Sequence, residues 1–118
     1  MASLNNRELE LKKIYDEIRT NNDGDKLVDL VDKGKLKSEE RDALGMCPLI
    51  LAVDCGFELD TLEKLIDLGC DPYTVDDNGD TLLHYAVNLD NSEVEEWLIN
   101  KYKVCKDIQN NDKMTAYD

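Results

Sequence analysis

Basic residues are scarce in this chain. Its 118 residues include 14 Lys and Arg against 27 Asp and Glu, which leaves a formal net charge of −13. Nucleic acids and anionic membrane surfaces both require a cationic protein surface. The composition therefore argues against sequence-independent binding to either of them, while a basic protein partner is compatible with it. An equally good interpretation is that the acidity only keeps the protein soluble.

Long hydrophobic runs are missing as well. No stretch approaches the roughly 20 apolar residues that a membrane-spanning helix requires. The first ten residues, MASLNNRELE, contain no apolar run of the kind that a secretory signal needs. We therefore expect an intracellular protein, in the cytoplasm, in the nucleus or in both.

The chain also lacks the usual motifs of metal and catalytic sites. Its four cysteines, at positions 47, 55, 70 and 105, form no Cys-x-x-Cys pair, so free thiols in a reducing compartment are expected rather than structural zinc. Asp76, Asp77 and Asp80 share one loop but lack the alternating carboxylates and distal Glu of a calcium loop. No Gly-rich phosphate loop and no nucleophile–base pair is recognisable. We expect no cofactor, no metal and no catalysis.

A pattern with a period of 34 residues runs through the chain. The recurring positions are Gly45, Gly79 and Lys113; Cys47, Thr81 and Thr115; Leu49, Leu83 and Tyr117; and Ala52 and Ala86. A fixed period in this range is typical of proteins built from stacked structural units. Such proteins usually present an extended surface to a partner rather than a pocket to a substrate.

The spacing of apolar residues predicts that each unit is a pair of short helices. Apolar steps of three and four indicate helices over residues 9–18, 26–32, 48–53, 60–68, 81–89 and 93–102. Asp60 and Asn91 are expected N-caps, and Gly34 and Gly69 are expected at helix ends. Because a short helix cannot bury its apolar face alone, we expect the pairs to stack into an all-α array.

Three segments carry a family resemblance. Residues 79–86 read GDTLLHYA, residues 45–52 read GMCPLILA, and residues 65–71 read LIDLGCD. The first two resemble the ankyrin repeat, whose pattern is G-x-T-P-L-H-x-A, and the third resembles the L-L-x-x-G-A-D at the end of the family's outer helix. The resemblance implies an all-α ankyrin-repeat solenoid, made of stacked helix-turn-helix units joined by hairpin loops.

The resemblance divides the chain into repeats within a single domain of residues 1–118. Residues 7–44 are expected to form a degenerate N-terminal capping repeat, 45–78 and 79–112 two full repeats, and 113–118 the start of a further, truncated repeat. Because the pattern stops at Asp118 soon after a further copy begins, we expect that the chain is either a fragment of a longer protein or ends in a very short cap.

The resemblance also implies a binding surface. In ankyrin-like proteins, partners usually meet the hairpin tips and the exposed side of the inner helices. Carried over by position, the expected partner-binding residues are Leu44, Met46, Asp54, Cys55, Asp77, Asn78, Asp80, Asn88, Leu89, Asn111, Asp112 and Met114. Residues 45–78 hold eight acidic residues and one lysine, a net charge of −7. This mixture of apolar and acidic groups favours a partner with a basic patch around an apolar anchor.

Four further residues have a structural and a functional interpretation. The resemblance implies that His84, the single histidine, hydrogen-bonds the neighbouring loop backbone rather than acting as a catalytic base. We expect Thr81 to cap its helix and Trp97 to cover the joint between two repeats, although a second partner contact is the alternative. Cys55 is expected to be the most exposed thiol, with no basic neighbour in sequence to activate it.

These observations favour a non-catalytic protein–protein interaction module, an adaptor or regulator that acts as a monomer and presents a preorganised acidic concave surface. The alternative is a targeting or autoinhibitory segment of a larger enzyme, channel or effector whose activity lies outside this chain. A stand-alone enzyme is the least favoured interpretation.

Overall fold

The computed structural model describes residues 5–118, so residues 1–4 of the expected domain lie outside the described part. The described residues contain six α-helices: α1 Asn6–Asn21, α2 Gly24–Asp32, α3 Pro48–Asp54, α4 Leu59–Asp67, α5 Leu82–Asn88 and α6 Ser92–Lys101. Extended pairing within this part is limited to one isolated antiparallel bridge between Val75 and Thr81. The predicted all-α architecture is confirmed.

The helices are arranged as three consecutive pairs. We call the first helix of each pair (α1, α3, α5) the inner helix and the second (α2, α4, α6) the outer helix. The two helices of a pair contact each other, and along the array α3 packs against α5 while α2 packs against α4. Each layer therefore buries apolar surface against its neighbours in the stack.

Burial follows the position of each helix in the array. In α3, residues 48–53 are all buried, as is typical of a helix that is apolar on every side and packed between others. Outer helix α4 is amphipathic and buries Leu62 and Leu65, which lie one turn apart on one face. The side chains of both layers belong to one hydrophobic core.

Several predicted helix ends are confirmed. Thr81 caps α5, and Asn91 caps α6 by accepting a hydrogen bond from the Val94 amide. Gly34 and Gly69 follow α2 and α4 with φ of +75° and +111°, in the left-handed region that favours glycine. Local sequence thus determines where these helices begin and end.

The prediction that Asp60 caps its helix is wrong. Helix α4 begins at Leu59, and Glu58 occupies the cap position without a side-chain hydrogen bond. Asp60 lies inside the first turn, where its negative charge is favourable because the helix dipole is positive there. Helix α2 also begins earlier than predicted, because the Asp23 carboxylate accepts a hydrogen bond from the Lys26 amide.

An arginine ties the first helix to the chain that follows α2. Arg7 donates from Nε and Nη2 to the Glu40 carboxylate, the Nη2 bond measuring 2.6 Å, and from Nη2 to the Lys35 carbonyl at 2.9 Å. The hydrogen bond from Arg7 lowers the pKa of Glu40. Because Glu40 lies two residues before the first hairpin loop, this contact ties α1 to the start of that loop.

Candidate protein-binding surface

Three hairpin loops with the same hydrogen bonds form one edge of the array. The first hairpin is residues 42–46, the second 76–80 and the third 110–114. In each, the side-chain oxygen of the first residue (Asp42, Asp76 or Asn110) accepts backbone N–H bonds of 2.9–3.1 Å from the third and fifth residues. In each hairpin, the backbone N–H of the first residue also donates to the backbone carbonyl of the fifth residue. The 34-residue period therefore appears in space as three equivalent tips.

The fourth residue of every hairpin has a left-handed backbone. Gly45 and Gly79 have φ of +80° and +78°, and Lys113, which departs from the glycine pattern, still has φ of +62°. A lysine in this conformation costs free energy that a glycine would not. The side-chain hydrogen bonds of Asn110 therefore hold the third hairpin in the common shape.

Hydrogen bonds between neighbouring hairpins fix their spacing. Arg41, just before the first hairpin, donates to the Val75 carbonyl and to Thr74 Oγ1, both at 2.6 Å. The Asn111 amide donates to the Asn78 carbonyl at 2.8 Å, and the Asn111 side chain donates to the Asp77 carbonyl at 3.0 Å. Because each tip is bonded to the next, the three tips form a row with a set separation.

His84 joins α5 to the third hairpin. Its Nδ1 accepts from the Thr81 amide at 3.1 Å, while the Thr81 hydroxyl accepts from the His84 amide, which completes a capping box. These partners assign the proton to Nε2, which donates to the Met114 carbonyl at 2.9 Å. The predicted structural role of His84 is confirmed, and both ring nitrogens are occupied by backbone groups.

Replacing His84 by alanine is expected to destabilise the protein by about 1–3 kcal/mol, because a cap bond and the bond to Met114 are both lost. Amide hydrogen exchange should accelerate most in residues 110–118. A His84→Gln variant, whose amide can still donate, is expected to recover part of the loss. Unchanged exchange in the third hairpin of the alanine variant would contradict this role.

Most of the predicted partner-binding residues are accessible. Those exposed are Leu44, Asp77, Asn78, Asn88, Leu89, Asn111, Asp112 and Met114, and those half-buried are Asp54, Cys55 and Asp80. The structure places them on the hairpin tips and at the ends of inner helices α3 and α5 nearest the turns. Together they make up the candidate surface, with one exception.

Met46 is that exception, because the structure buries it to 5% exposure. Inner helix α1 lies over this position, and Arg19 from α1 donates from Nη2 to the Met46 sulfur at 3.5 Å. The prediction that Met46 offers an apolar contact at the surface is therefore wrong. The residue forms part of a cleft wall instead.

Not every acidic residue of the candidate surface is available to a partner, and those that are available lie toward the C-terminal end of the array. Asp54 is ion-paired with Arg19 at 2.6 Å. Asp76 is buried and accepts the Tyr85 hydroxyl at 2.5 Å; burial of the phenol, followed by this bond, raises the pKa of Tyr85. Asp77 and Asp112 have no cation partner within the described residues.

A groove of about 540 Å³ lies between α5 and the third hairpin. Its lining includes Asp80, Asp118, Asn88 and Met114, and within the described residues no Lys or Arg contributes to it. Asp80 Oδ1 accepts a hydrogen bond from the Asn110 side-chain amide at 2.7 Å. The groove therefore combines negative charge with an apolar edge.

The exposure of the cysteines differs from the prediction. Cys105 is exposed, whereas Cys55 is half-buried, so the expectation that Cys55 is the most exposed thiol is wrong. Burial raises the pKa of Cys55, and the nearby Arg19 partly opposes that effect. Arg19 is a basic neighbour in space that the sequence around Cys55 does not reveal.

Trp97 covers the joint between the outer helices, as predicted. It is 9% exposed, and its indole N–H donates to the Glu63 carboxylate of α4 at 3.1 Å. Lys101 donates to the same oxygen at 2.5 Å, and the bonds from Lys101 and Trp97 lower the pKa of Glu63. The indole also packs edge-on against Tyr102 with ring centroids 5.1 Å apart.

A stack of helix pairs with hairpin tips in one bonded row defines a repeat protein of the solenoid class. The chain belongs to the ankyrin-repeat family, whose model "Ankyrin repeats (3 copies)" matches residues 49–117. Among curated proteins, it is similar to the Neurogenic locus notch homolog protein 1 of Danio rerio, with 39% identity over 71 residues. The match covers 60% of this chain and 3% of that much longer protein. None of the helices in residues 5–118 is long and apolar enough to cross a membrane.

Proposed function

We propose that this chain is a non-catalytic adaptor or regulator that binds a protein partner on its row of hairpin tips and the C-terminal ends of α3 and α5. Ankyrin repeats are generally protein–protein interaction modules, and the family assignment supports the same role here. On this exposed surface, the proposed contact residues are those named above; Met46 lies outside it because it is buried. Residues 7–44, 45–78 and 79–112 act as the units of the array.

The observation that carries this proposal is the bonding of the three tips to one another. Arg41 and Asn111 make the bonds that hold neighbouring hairpins together. A surface that is already ordered loses little conformational entropy when a partner binds. Rigid presentation of side chains at a fixed spacing is therefore the mechanism that we propose.

The charges of this surface favour a basic partner segment. Asp77, Asp80 and Asp112 lie along the second and third hairpins, and none forms an ion pair within the described residues. Complementary charge would speed association and align the partner, with a strong dependence on salt. We propose that Lys or Arg side chains of the partner meet these carboxylates.

Reversing two of these charges is expected to weaken partner binding by about tenfold at low salt, and by less at high salt. The variant carries Asp77→Lys and Asp112→Lys, both at exposed positions. The control carries Asp67→Lys and Glu96→Lys, which change the net charge equally on exposed positions of outer helices. Affinity capture from native lysate with mass spectrometry identifies the partner, and titration then compares the variants. Equal binding by both double variants would place the interface elsewhere.

The similar protein favours a second candidate function. This chain corresponds to 3% of the notch homolog, so a related segment there is a small part of a larger molecule. We propose, as the alternative, that the chain is a targeting or autoinhibitory segment of a larger enzyme, channel or effector. The mass of the gene product in native cells, measured by immunoblotting, distinguishes a larger parent from a product of 13.5 kDa.

We further propose that the chain acts as a monomer in the cytoplasm or nucleus. The free state of all four cysteines supports a reducing setting. Sedimentation analysis and imaging of the tagged protein in cells test the two points separately.

A further inference from the structure

We propose that a cleft between α1 and the first hairpin binds one large apolar side chain of the partner, from a segment with a basic residue beside it. The inference rests on the proposed function and adds the chemistry of a second contact. The cleft has a volume of about 320 Å³, and its lining includes Tyr15, Ala43, Leu44 and Met46 beside charged residues. It lies at the opposite end of the hairpin row from the 540 Å³ groove.

The wall of the cleft is apolar for identifiable reasons. Tyr15 is buried and donates its hydroxyl to the Glu40 carbonyl at 3.3 Å, so its polar group already has a backbone partner. Met46, buried beside it, offers a flexible thioether that adapts to different shapes. Leu44 stands 69% exposed at the rim.

The cations around the cleft already have partners. Lys12 is ion-paired with Asp16 at 2.8 Å, and Arg19 with Asp54 at 2.6 Å. Both residues line the cleft, and each is paired with a carboxylate.

Of the charged residues that line the cleft, those without an ion pair within the described residues are acidic. The Glu8 carboxylate accepts a hydrogen bond from the Asn5 side-chain amide at 2.8 Å. It forms no ion pair within the described residues. Asp42 also lines the cleft, and Asp77 lies so close to Gly45, beside Leu44, that an added Cβ would be 2.2 Å from its carboxylate. An apolar cleft with unpaired carboxylates at its edge is complementary to an apolar anchor followed by Lys or Arg.

Charge complementarity favours a basic partner segment over a second copy of this chain as the occupant of the cleft. A second copy of the chain carries a net charge of −13, so its docking would bring like charges together at the rim. A basic segment places opposite charges there instead. The binding site therefore has two parts, an apolar cleft at the capping end and an acidic groove at the far end, which together set the direction of the bound segment.

Selection of short random peptides displayed on phage tests the inference with a defined probe. Peptides selected on the wild-type chain should be enriched in an aliphatic or aromatic residue next to Lys or Arg. Their affinity should fall about tenfold or more on Leu44→Ser and recover on Leu44→Met. Leu68→Ser, at a 36%-exposed leucine beside outer helix α4, is the matched control. Binding should also shift the methyl NMR signal of Met46.

The outcomes separate this inference from the proposed function. One contrary result would be selection of basic peptides that lack an apolar residue. If they bound Leu44→Ser as well as wild type and lost affinity on Asp77→Lys with Asp112→Lys, the proposed cleft site would be rejected and the acidic surface retained. Peptides indifferent to both variants, or a selection without binders, would overturn both. A wild-type dimer that Leu44→Ser abolishes would show that the occupant is a second copy, contrary to the inference. Circular dichroism verifies that each variant is folded.

Discussion

Replacing Gly45 by alanine is expected to lower the free energy of unfolding by about 2–5 kcal/mol, which combines left-handed backbone strain with overpacking. Gly45 has φ of +80°. An added Cβ would lie 2.2 Å from Asp77 Oδ1 and 2.7 Å from the Asp77 amide nitrogen. The carboxylate can rotate away, but the amide belongs to the second hairpin, so the two hairpins would have to separate.

Two other glycines provide controls with the same backbone strain. Gly34 has φ of +75° and no atom within 4 Å of an added Cβ, so Gly34→Ala should cost only the strain, about 1–2 kcal/mol. Gly79 is intermediate, since the added atom would lie 3.2 Å from the Asn111 amide nitrogen. Urea unfolding followed by circular dichroism should rank the losses as Gly45, Gly79, then Gly34. Equal losses at Gly45 and Gly34 would mean that close hairpin contact does not hold the array.

The repeated part of the structure could be predicted because its information is local. Thr81 and His84 are three residues apart, and their mutual hydrogen bonds are determined within one turn of helix. Gly45 and Gly79 mark left-handed positions that few other residues accept. Each such signal recurs at a fixed spacing, so neighbouring repeats support the same assignment.

The contacts of the capping repeat could not be predicted, because that repeat departs from the pattern. Arg19 and Asp54 are 35 residues apart, and their ion pair depends on how α1 crosses the first hairpin. The same crossing buries Met46 and forms the cleft. Tyr15 showed only helical apolar spacing, and Arg41 gave no sign that it would bridge two hairpins. Exposure of Cys105 rather than Cys55 likewise depends on tertiary packing.

These differences change the interpretation of the acidic surface. Sequence counts placed the excess of carboxylates in residues 45–78. The structure pairs Asp54 with Arg19 and buries Asp76 in its hairpin. On the second and third hairpins, the carboxylates left for a partner are those of Asp77, Asp80 and Asp112, so we expect electrostatic effects on this part of the surface to be strongest toward the third hairpin.

Replacing Leu65 by alanine is expected to cost about 2–5 kcal/mol, because the lost burial is accompanied by a cavity. Leu65 is fully buried in α4, which packs against both α2 and α3. The free energy of unfolding of a whole domain is only about 5–15 kcal/mol. One substitution at this junction would therefore remove a large share of the stability, whereas Leu68→Ala, at a 36%-exposed leucine nearby, should cost far less.

The same substitution tests how the repeats are coupled. In a stacked array, stability is a sum of repeat terms and nearest-neighbour interface terms, and α4 supplies the outer interface between the capping repeat and the next one. Trp97, the only tryptophan, reports on the C-terminal repeat by fluorescence, while circular dichroism reports on all helices. We expect the two urea transitions to coincide in wild type and to separate in Leu65→Ala, since the weakened interface lets the repeats unfold independently. Coincident transitions shifted no further than those of Leu68→Ala would show that α4 does not carry the coupling, and the bonded hairpin row would then be the element that holds the array together.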